Sequence, residues 1–135
     1  MVRSFPAVWL AQEDIRMAKG FLKILAVSLF VAAGATSALA TGAIAVNDEL
    51  GTAAEDVGYA TGYGANQSEA EANAIKECKG AGNEQCKVVV WFEQCGAYVG
   101  DRAKSAAGFG ETKEAAEKVA LEKCPNCKVI VSECQ

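Results

Sequence analysis

Two stretches of the sequence, Gly62–Cys78 (GYGANQSEAEANAIKEC) and Gly108–Cys124 (GFGETKEAAEKVALEKC), align over 17 residues without a gap. Each begins with a glycine–aromatic–glycine triplet and ends at a cysteine. Each is followed by a second cysteine, a lysine and a β-branched run, which reads CKVVVWFEQC from Cys86 and CKVIVSEC from Cys127. An internal repeat is the signature of a chain built from similar structural units. The sequence therefore predicts two tandem copies of one unit.

Each copy is predicted to contain two short strands, a helix and a third strand, with repeat one over residues 42–95 and repeat two over residues 96–134. Before the first helix, Val57–Tyr63 alternates large and small side chains as a strand does, and its small face lets another backbone lie close. The helices are predicted to begin at Asn66 and Thr112, both good N-cap types, and to bury a stripe of alanines. The fold class is therefore α+β: two tandem β-β-α-β repeats with pseudo-twofold symmetry, an antiparallel sheet packed by two Ala-rich helices, and disulfide staples.

The strands that follow the helices are continuously apolar at Val88–Phe92 and Val129–Val131. A strand with one solvated face would alternate, so these are predicted to be central strands with both faces covered. The helix covers one face, and the other face needs the second repeat or a second chain. Because alanine helices cannot cover every aromatic side chain, three aromatics are candidate interface residues: Trp91, Phe92 and Tyr98.

Residues 17–40 have the layout of a secretory signal peptide: a lysine-bearing start, an apolar stretch and a small-x-small cleavage site that ends at Ala40. The alternative to a signal peptide is a transmembrane helix, but the apolar stretch is too short to span a bilayer. Residues 1–16 place two acidic side chains ahead of the basic end, so they are expected to be an upstream extension and Met17 the true start. Cleavage after Ala40 is expected to leave a single secreted or periplasmic domain, residues 41–135.

The charge of this predicted mature domain narrows the choice of partners. Residues 41–135 carry 9 basic and 15 acidic side chains, a formal net charge of −6. Phosphate backbones repel such a domain, which disfavours nucleic-acid binding. The domain also lacks the basic face that binds anionic lipid, and no stable membrane insertion is expected after cleavage. The expected partner is an unidentified protein or another envelope component, and a homodimer is one option.

All six cysteines lie in the predicted mature domain: Cys78, Cys86, Cys95, Cys124, Cys127 and Cys134. An even number of cysteines in a short exported chain predicts three disulfides. Six cysteines allow many pairings, and a working hypothesis selects one. It joins Cys78 to Cys86 and Cys124 to Cys127 within the two copies, and Cys95 to Cys134 between their last strands.

These features together resemble the domain-of-unknown-function family 4189, a family of small exported bacterial proteins. The resemblance lies in the opening Gly42–Ala45, the Gly-aromatic-Gly triplet before an Ala-rich helix that ends in Cys78, the strand that opens with Cys86, and the hinge Cys95–Tyr98. It covers about residues 42–134. The resemblance implies a secreted, disulfide-bonded domain, and it carries over no catalytic residues.

The motif with the most specific chemistry is Cys124-Pro125-Asn126-Cys127. A C-x-x-C pair suggests thiol–disulfide exchange by a thiol whose pKa is lowered at a helix N-terminus. Here the pair follows the predicted helix, where the negative end of the helix dipole disfavours a thiolate. A structural staple is therefore the favoured interpretation. Zinc is disfavoured because exported chains usually oxidise their cysteines and no histidine is present to complete a mixed site, so no metal site is predicted.

The absence of histidine also removes the Ser-His and Cys-His nucleophile pairs. Carboxylates remain as acid–base candidates: Glu93 and Asp101 flank the hinge, and the first loop holds Asp48, Glu49, Glu55 and Asp56. Solvated loop charges are the commoner explanation of such acids, and none is distinguished from its neighbours, so no catalytic residue is assigned.

The sequence therefore favours a secreted or periplasmic binding module that is stabilised by disulfides, has no cofactor and catalyses no reaction. The alternative is a small envelope enzyme. It would be either a thiol–disulfide oxidoreductase that uses Cys124 and Cys127 or a carboxylate-dependent hydrolase.

Overall fold

The computed structural model describes residues 40–135, so the predicted upstream extension and all but the last residue of the predicted signal peptide lie outside it. The described chain contains six strands and two helices, in the order β1 (Thr41–Asn47), β2 (Gly58–Gly64), α1 (Gln67–Gly80), β3 (Lys87–Phe92), β4 (Cys95–Gly100), β5 (Ser105–Gly110), α2 (Lys113–Lys123) and β6 (Lys128–Cys134). Neither helix has the length and apolar content that crossing a bilayer requires, among the residues described.

The strands form two three-stranded antiparallel sheets, with the orders β2-β1-β3 and β5-β4-β6. The fold is therefore α+β, but the prediction of one antiparallel sheet is wrong. Each half of the chain forms a separate open sheet, in which the first strand of that half pairs with both of its other strands.

The central strands are β1 and β4, in which nearly every residue is buried. The prediction that Val88–Phe92 and Val129–Val131 are central is wrong, since both lie in edge strands. The physical reason is side-chain size. The central strands (TGAIAVN and CGAYVG) are rich in glycine and alanine, so they fit between a helix on one face and a second sheet on the other.

Both helices begin with the caps that the sequence predicts. The side chain of Asn66 accepts a hydrogen bond from the backbone N–H of Glu69 at 3.0 Å, and that of Thr112 accepts one from Ala115 at 3.1 Å. The Glu69 carboxylate in turn accepts the N–H of Ala65 at 3.0 Å, a variant of the capping box. These bonds satisfy backbone donors that the first helical turn leaves free.

Each helix lies directly on its sheet because the strand below it presents glycine. A Cβ atom added to Gly62 would overlap the backbone of α1 at Ala74, and one added to Gly108 would overlap the backbone of α2 at Ala116. The buried residues of α1 are correspondingly small: Ala70, Ala74 and Cys78. The predicted close approach on the small-residue face is confirmed.

The main hydrophobic core lies between the two sheets. It contains Ile44, Val46, Val57, Phe92, Tyr98 and Val131. Along β1, Ile44 and Val46 face this core, while Ala43 and Ala45 pack on α1. The layers therefore run α1, first sheet, second sheet, α2, and each half covers the apolar face that the other leaves open.

The Phe92 ring is the centre of this core. It is 1% exposed and occupies the space left by two glycines, Gly42 in β1 and Gly96 in β4, where an added Cβ would overlap the ring. Because Phe92 belongs to the first half and Gly96 to the second, this one side chain joins the two halves.

Candidate functional site

Three disulfides hold the ends of the elements. Cys78 in the last turns of α1 is bonded to Cys86, the residue before β3, and Cys124 at the end of α2 is bonded to Cys127, the residue before β6. The third bond joins Cys95 at the start of β4 to Cys134 at the end of β6. These are the three pairs of the working hypothesis, and no described cysteine is free.

The Cys124–Cys127 bond sits in an environment that suits a structural bridge. Cys124 is fully buried and Cys127 is 7% exposed, whereas exchange requires an accessible sulfur. A carboxylate oxygen of Asp101 lies within 4.8 Å of both sulfurs, and its negative charge would disfavour a thiolate there. The same three residues have the spacing of metal ligands, but sulfurs bonded to each other offer no thiolate to a cation.

Two of the acid–base candidates have structural partners. The Asp101 carboxylate accepts hydrogen bonds from the backbone N–H groups of Ala103 and Lys104 at 2.7 and 2.8 Å. Those two bonds hold the pKa of Asp101 below its usual value. Asp48 pairs with the Lys87 ammonium group at 2.8 Å and accepts the hydroxyl of Tyr98 at 3.5 Å.

Lys87 and Tyr98, the two partners of Asp48, both have a raised pKa. The hydrogen bond to Asp48 raises the pKa of Lys87, so the ammonium form is stabilised. Burial raises the pKa of Tyr98 and keeps its phenol protonated as a donor. This cluster satisfies a buried tyrosine hydroxyl, which is a structural role. The remaining acids of the first loop are exposed: Glu49, Glu55 and Asp56.

The principal concave feature of the described residues is a groove of about 610 Å³ between the edge strands β3 and β5, called here the β3–β5 groove. Binding sites for small ligands fall in the range of about 300–1,000 Å³. The apolar lining is formed by Val89, Val90, Trp91, Phe92, Ala107 and Phe109. Its polar lining includes Glu93, Gln94, Glu111 and Lys123, and the Lys123 ammonium group donates to the carbonyl of Ala107 at 2.8 Å.

The opposite side of the gap between the sheets is closed by Tyr63. Its hydroxyl donates to the backbone carbonyl of Cys134 in the other sheet at 3.1 Å. Its ring meets Phe92 edge-on, with centroids 6.4 Å apart. Burial, and then the charge of Glu133, raise the pKa of Tyr63, which keeps the hydroxyl protonated.

The aligned residue of the second half, Phe109, has no hydroxyl with which to bridge the sheets. It lies opposite Gly96 in the sheet register and is 64% exposed, against 39% for Tyr63. The gap between the sheets is therefore bridged beside Tyr63 and open beside Phe109, and the β3–β5 groove lies on the open side.

The three predicted interface residues have different surroundings. Trp91 is 41% exposed and borders the groove, and its side chain lies on the α1 face of β3, opposite Ala43, where it can contact a partner. Phe92 and Tyr98 are 1% and 2% exposed in the core between the sheets, and their assignment to an interface is wrong. Both were expected to lack cover because alanine helices are too small to cover every aromatic side chain, and the core between the two sheets covers them instead.

Phe109 is an aromatic residue of the groove that was not predicted as an interface residue. The signal that marks it is the one non-identity inside the glycine–aromatic–glycine triplets, phenylalanine where the first copy has tyrosine. A hydroxyl present at only one of two aligned positions indicates that the two aromatic rings have different surroundings.

Comparison with known proteins agrees with the fold. The family model described as "Domain of unknown function (DUF4189)" matches residues 41–134. The NMR structure of Rv1813c from Mycobacterium tuberculosis is similar, with a TM-score of 0.51 and 23% sequence identity over 93% of this chain and 100% of that one. That likeness concerns the fold alone. The comparison with curated proteins finds no match.

Proposed function

The chain belongs to the family of the domain of unknown function DUF4189, and we propose that it is a non-catalytic binding module that takes an apolar part of a protein partner into the β3–β5 groove. The observation that carries this proposal is the groove itself. Its lining is largely apolar, and it includes a large aromatic side chain, Phe109, that faces the gap between the sheets and is 64% exposed. Aromatic residues of this kind are the usual anchors of protein interfaces.

The charges around the groove indicate which partner it suits. Two acidic side chains, Glu93 and Glu111, line it against one basic side chain, Lys123, and residues 41–135 as a whole are acidic. An approaching segment with a basic side chain next to apolar ones would meet a complementary potential. A fatty acid or an anionic lipid would be repelled by the same carboxylates. The proposed ligand is therefore a polypeptide segment with mixed apolar and basic residues.

The proposed place of action is outside the cytoplasm, as a secreted or periplasmic protein. Three disulfides in a small domain are typical of oxidising compartments, and they support this location. The predicted signal peptide would deliver the chain there. We also propose that the two halves are tandem copies related by pseudo-twofold symmetry, which is supported by their shared element order and by the shared central position of the first strand.

Selection from a displayed library of random peptides tests the binding function directly. We expect the selected peptides to combine aromatic or aliphatic side chains with lysine or arginine, and we expect Phe109→Ser to weaken their binding by about tenfold or more. Tyr59→Ser is the matched control, because Tyr59 is also an exposed aromatic of an edge strand, at 46%, but does not line the groove.

Two outcomes would refute the proposal. One is a selection that yields no binder, and the other is a set of peptides whose affinity falls equally in the two variants. Disulfide exchange catalysed by the protein, and lost in Cys124→Ser without loss of the fold, would instead favour the oxidoreductase.

A further inference from the structure

We propose that β3 is an interface for a second copy of this chain, and that two β3 strands pair antiparallel along their open edges. The pairing would join two three-stranded sheets into one sheet of six strands. This surface is the backbone edge of β3, whereas the β3–β5 groove is formed by side chains between the sheets. The dimer therefore stands or falls independently of peptide binding.

The first reason is a mismatch between the residues of β3 and its position. β3 pairs only with β1 among the described strands, so one of its edges has free backbone N–H and C=O groups. Its sequence, KVVVWF, is nevertheless that of a strand covered on both faces. The three valines are only partly buried and Trp91 is 41% exposed. An apolar edge strand of this kind is a template for pairing with another chain.

The matching edge strand of the second half, β6, is protected where β3 is not. At the positions that align with Trp91 and Phe92, β6 has Ser132 and Glu133. Glu133 pairs with Lys113 of α2 at 3.7 Å, and the next residue is held by the bond between Cys134 and Cys95. Charged residues are a common way to keep an edge strand from pairing. The fold thus protects one of two equivalent edges and leaves the other apolar.

The second reason concerns the identity of the partner, because β3 is complementary to itself. β3 contains a β-bulge at Val89, because Val88 and Val90 pair with consecutive residues of β1. Val88 and Trp91 therefore share the face of the two alanines of β1 that pack on α1, while Val89 and Val90 both face the core between the sheets. The pairing of β6 with β4 has a register shift at the equivalent place, so the bulge does not distinguish the two edges. A twofold antiparallel pair can therefore set Val88 against Trp91 of the second copy, and Val89 against Val90, with every side chain matched in face. Aromatic and β-branched cross-strand pairs are stabilising.

The charges at the ends of β3 favour the same arrangement. Lys87 begins the strand and Glu93 follows its last residue. Antiparallel pairing brings the Lys87 end of one strand to the Glu93 end of the other, whereas parallel pairing would set like charges together. The side chain of Lys87 is 61% exposed despite its bond to Asp48, so it retains donors for a second carboxylate. A twofold dimer makes each of these contacts twice.

Sedimentation equilibrium of the purified protein over a range of concentrations tests the dimer. We expect Trp91→Lys to raise the dimer dissociation constant about tenfold or more, since each dimer contains the substitution twice. Val129→Lys is the matched control: Val129 is 38% exposed on the β6 edge, and we expect its substitution to change the constant by less than about twofold.

A second measurement does not depend on any variant. Hydrogen exchange of the wild-type protein should slow at alternate β3 amides as the concentration rises, with no such change in β6. A protein that remains monomeric up to about 1 mM overturns the proposal. So does a dimer that responds equally to both substitutions, or one in which only β6 gains protection.

Discussion

The two sides of the gap between the sheets differ by one hydroxyl group in equivalent positions. On one side, Tyr63 reaches across and donates to the carbonyl of Cys134, which ties the first sheet to the last strand of the second. On the other side, Phe109 has no group to donate, remains 64% exposed and borders the β3–β5 groove. Two stretches of similar sequence therefore have different surroundings: one closes its side of the gap, and the other leaves its side open.

The same division holds for the two edge strands that follow the helices. β6 ends in serine, glutamate and a bridged cysteine, and β3 ends in tryptophan and phenylalanine. In both comparisons the polar or covalent contact is on the closed side and the exposed aromatic is on the open side. We infer that stability and recognition are separated within this small domain.

The largest effect on stability is expected from removal of the Phe92 ring, which contacts Tyr63 on the closed side and lines the groove on the open side. Phe92→Ala would leave a cavity between Gly42 and Gly96, and we expect it to lower the free energy of unfolding by about 3–5 kcal/mol. Phe109→Ala, at an exposed site, should change it by no more than about 0.5 kcal/mol. Urea denaturation measures both. Similar losses in the two variants would show that the groove side also carries stability.

Removing the disulfides singly should rank them by the length of chain that they close. Cys95 and Cys134 are 39 residues apart, and replacing both with alanine should cost about 4 kcal/mol. Cys124 and Cys127 are 3 apart, and the same replacement should cost about 2 kcal/mol, because a short loop restricts the unfolded chain less. Denaturant unfolding under non-reducing conditions gives both values. The reverse ranking would mean that the helix-end bridge contributes mainly through native contacts.

The smallest effect expected is that of the hydroxyl itself. Tyr63→Phe keeps the ring against Phe92 and removes only the bond to Cys134, so we expect a loss of about 0.5–1 kcal/mol. The converse change, Phe109→Tyr, is the control and should leave stability nearly unchanged unless the new hydroxyl finds an acceptor. Thermal unfolding of both proteins measures the difference. If the Tyr63→Phe protein were as stable as the wild type, the hydroxyl bond to Cys134 would not stabilise the closed side.

Much of the local structure was predictable because it depends on neighbouring residues. Asn66 and Thr112 cap the helices as expected, since a cap needs only a side-chain acceptor two or three residues before a free N–H. Gly62 permits the helix contact that its strand pattern predicts. The bridges Cys78–Cys86 and Cys124–Cys127 likewise join residues that are near in sequence.

The errors concern contacts between distant residues. The apolar run of β3 predicts a central strand, yet the central place belongs to β1, whose GAIA sequence is less apolar but small enough to lie between α1 and the second sheet. Phe92 and Tyr98 were assigned to an interface because their cover comes from the opposite half. For the candidate site, only Trp91 was foreseen. The groove requires knowing that β3 and β5 are neighbours in different sheets.

The amino-acid sequence by itself determined the local elements: strand, strand, helix and strand in each half of the described chain, with the helix caps, the glycine contacts and the cysteines that bridge each helix end to the next strand. Those features arise from backbone preferences and side-chain sizes over a few residues. Only the tertiary structure decided that each half forms its own sheet, that Phe92 fills the space between Gly42 and Gly96, and that the gap is closed beside Tyr63 and open beside Phe109. Two sheets stacked face to face set those distances, and no local pattern in either half encodes how the other half will lie against it.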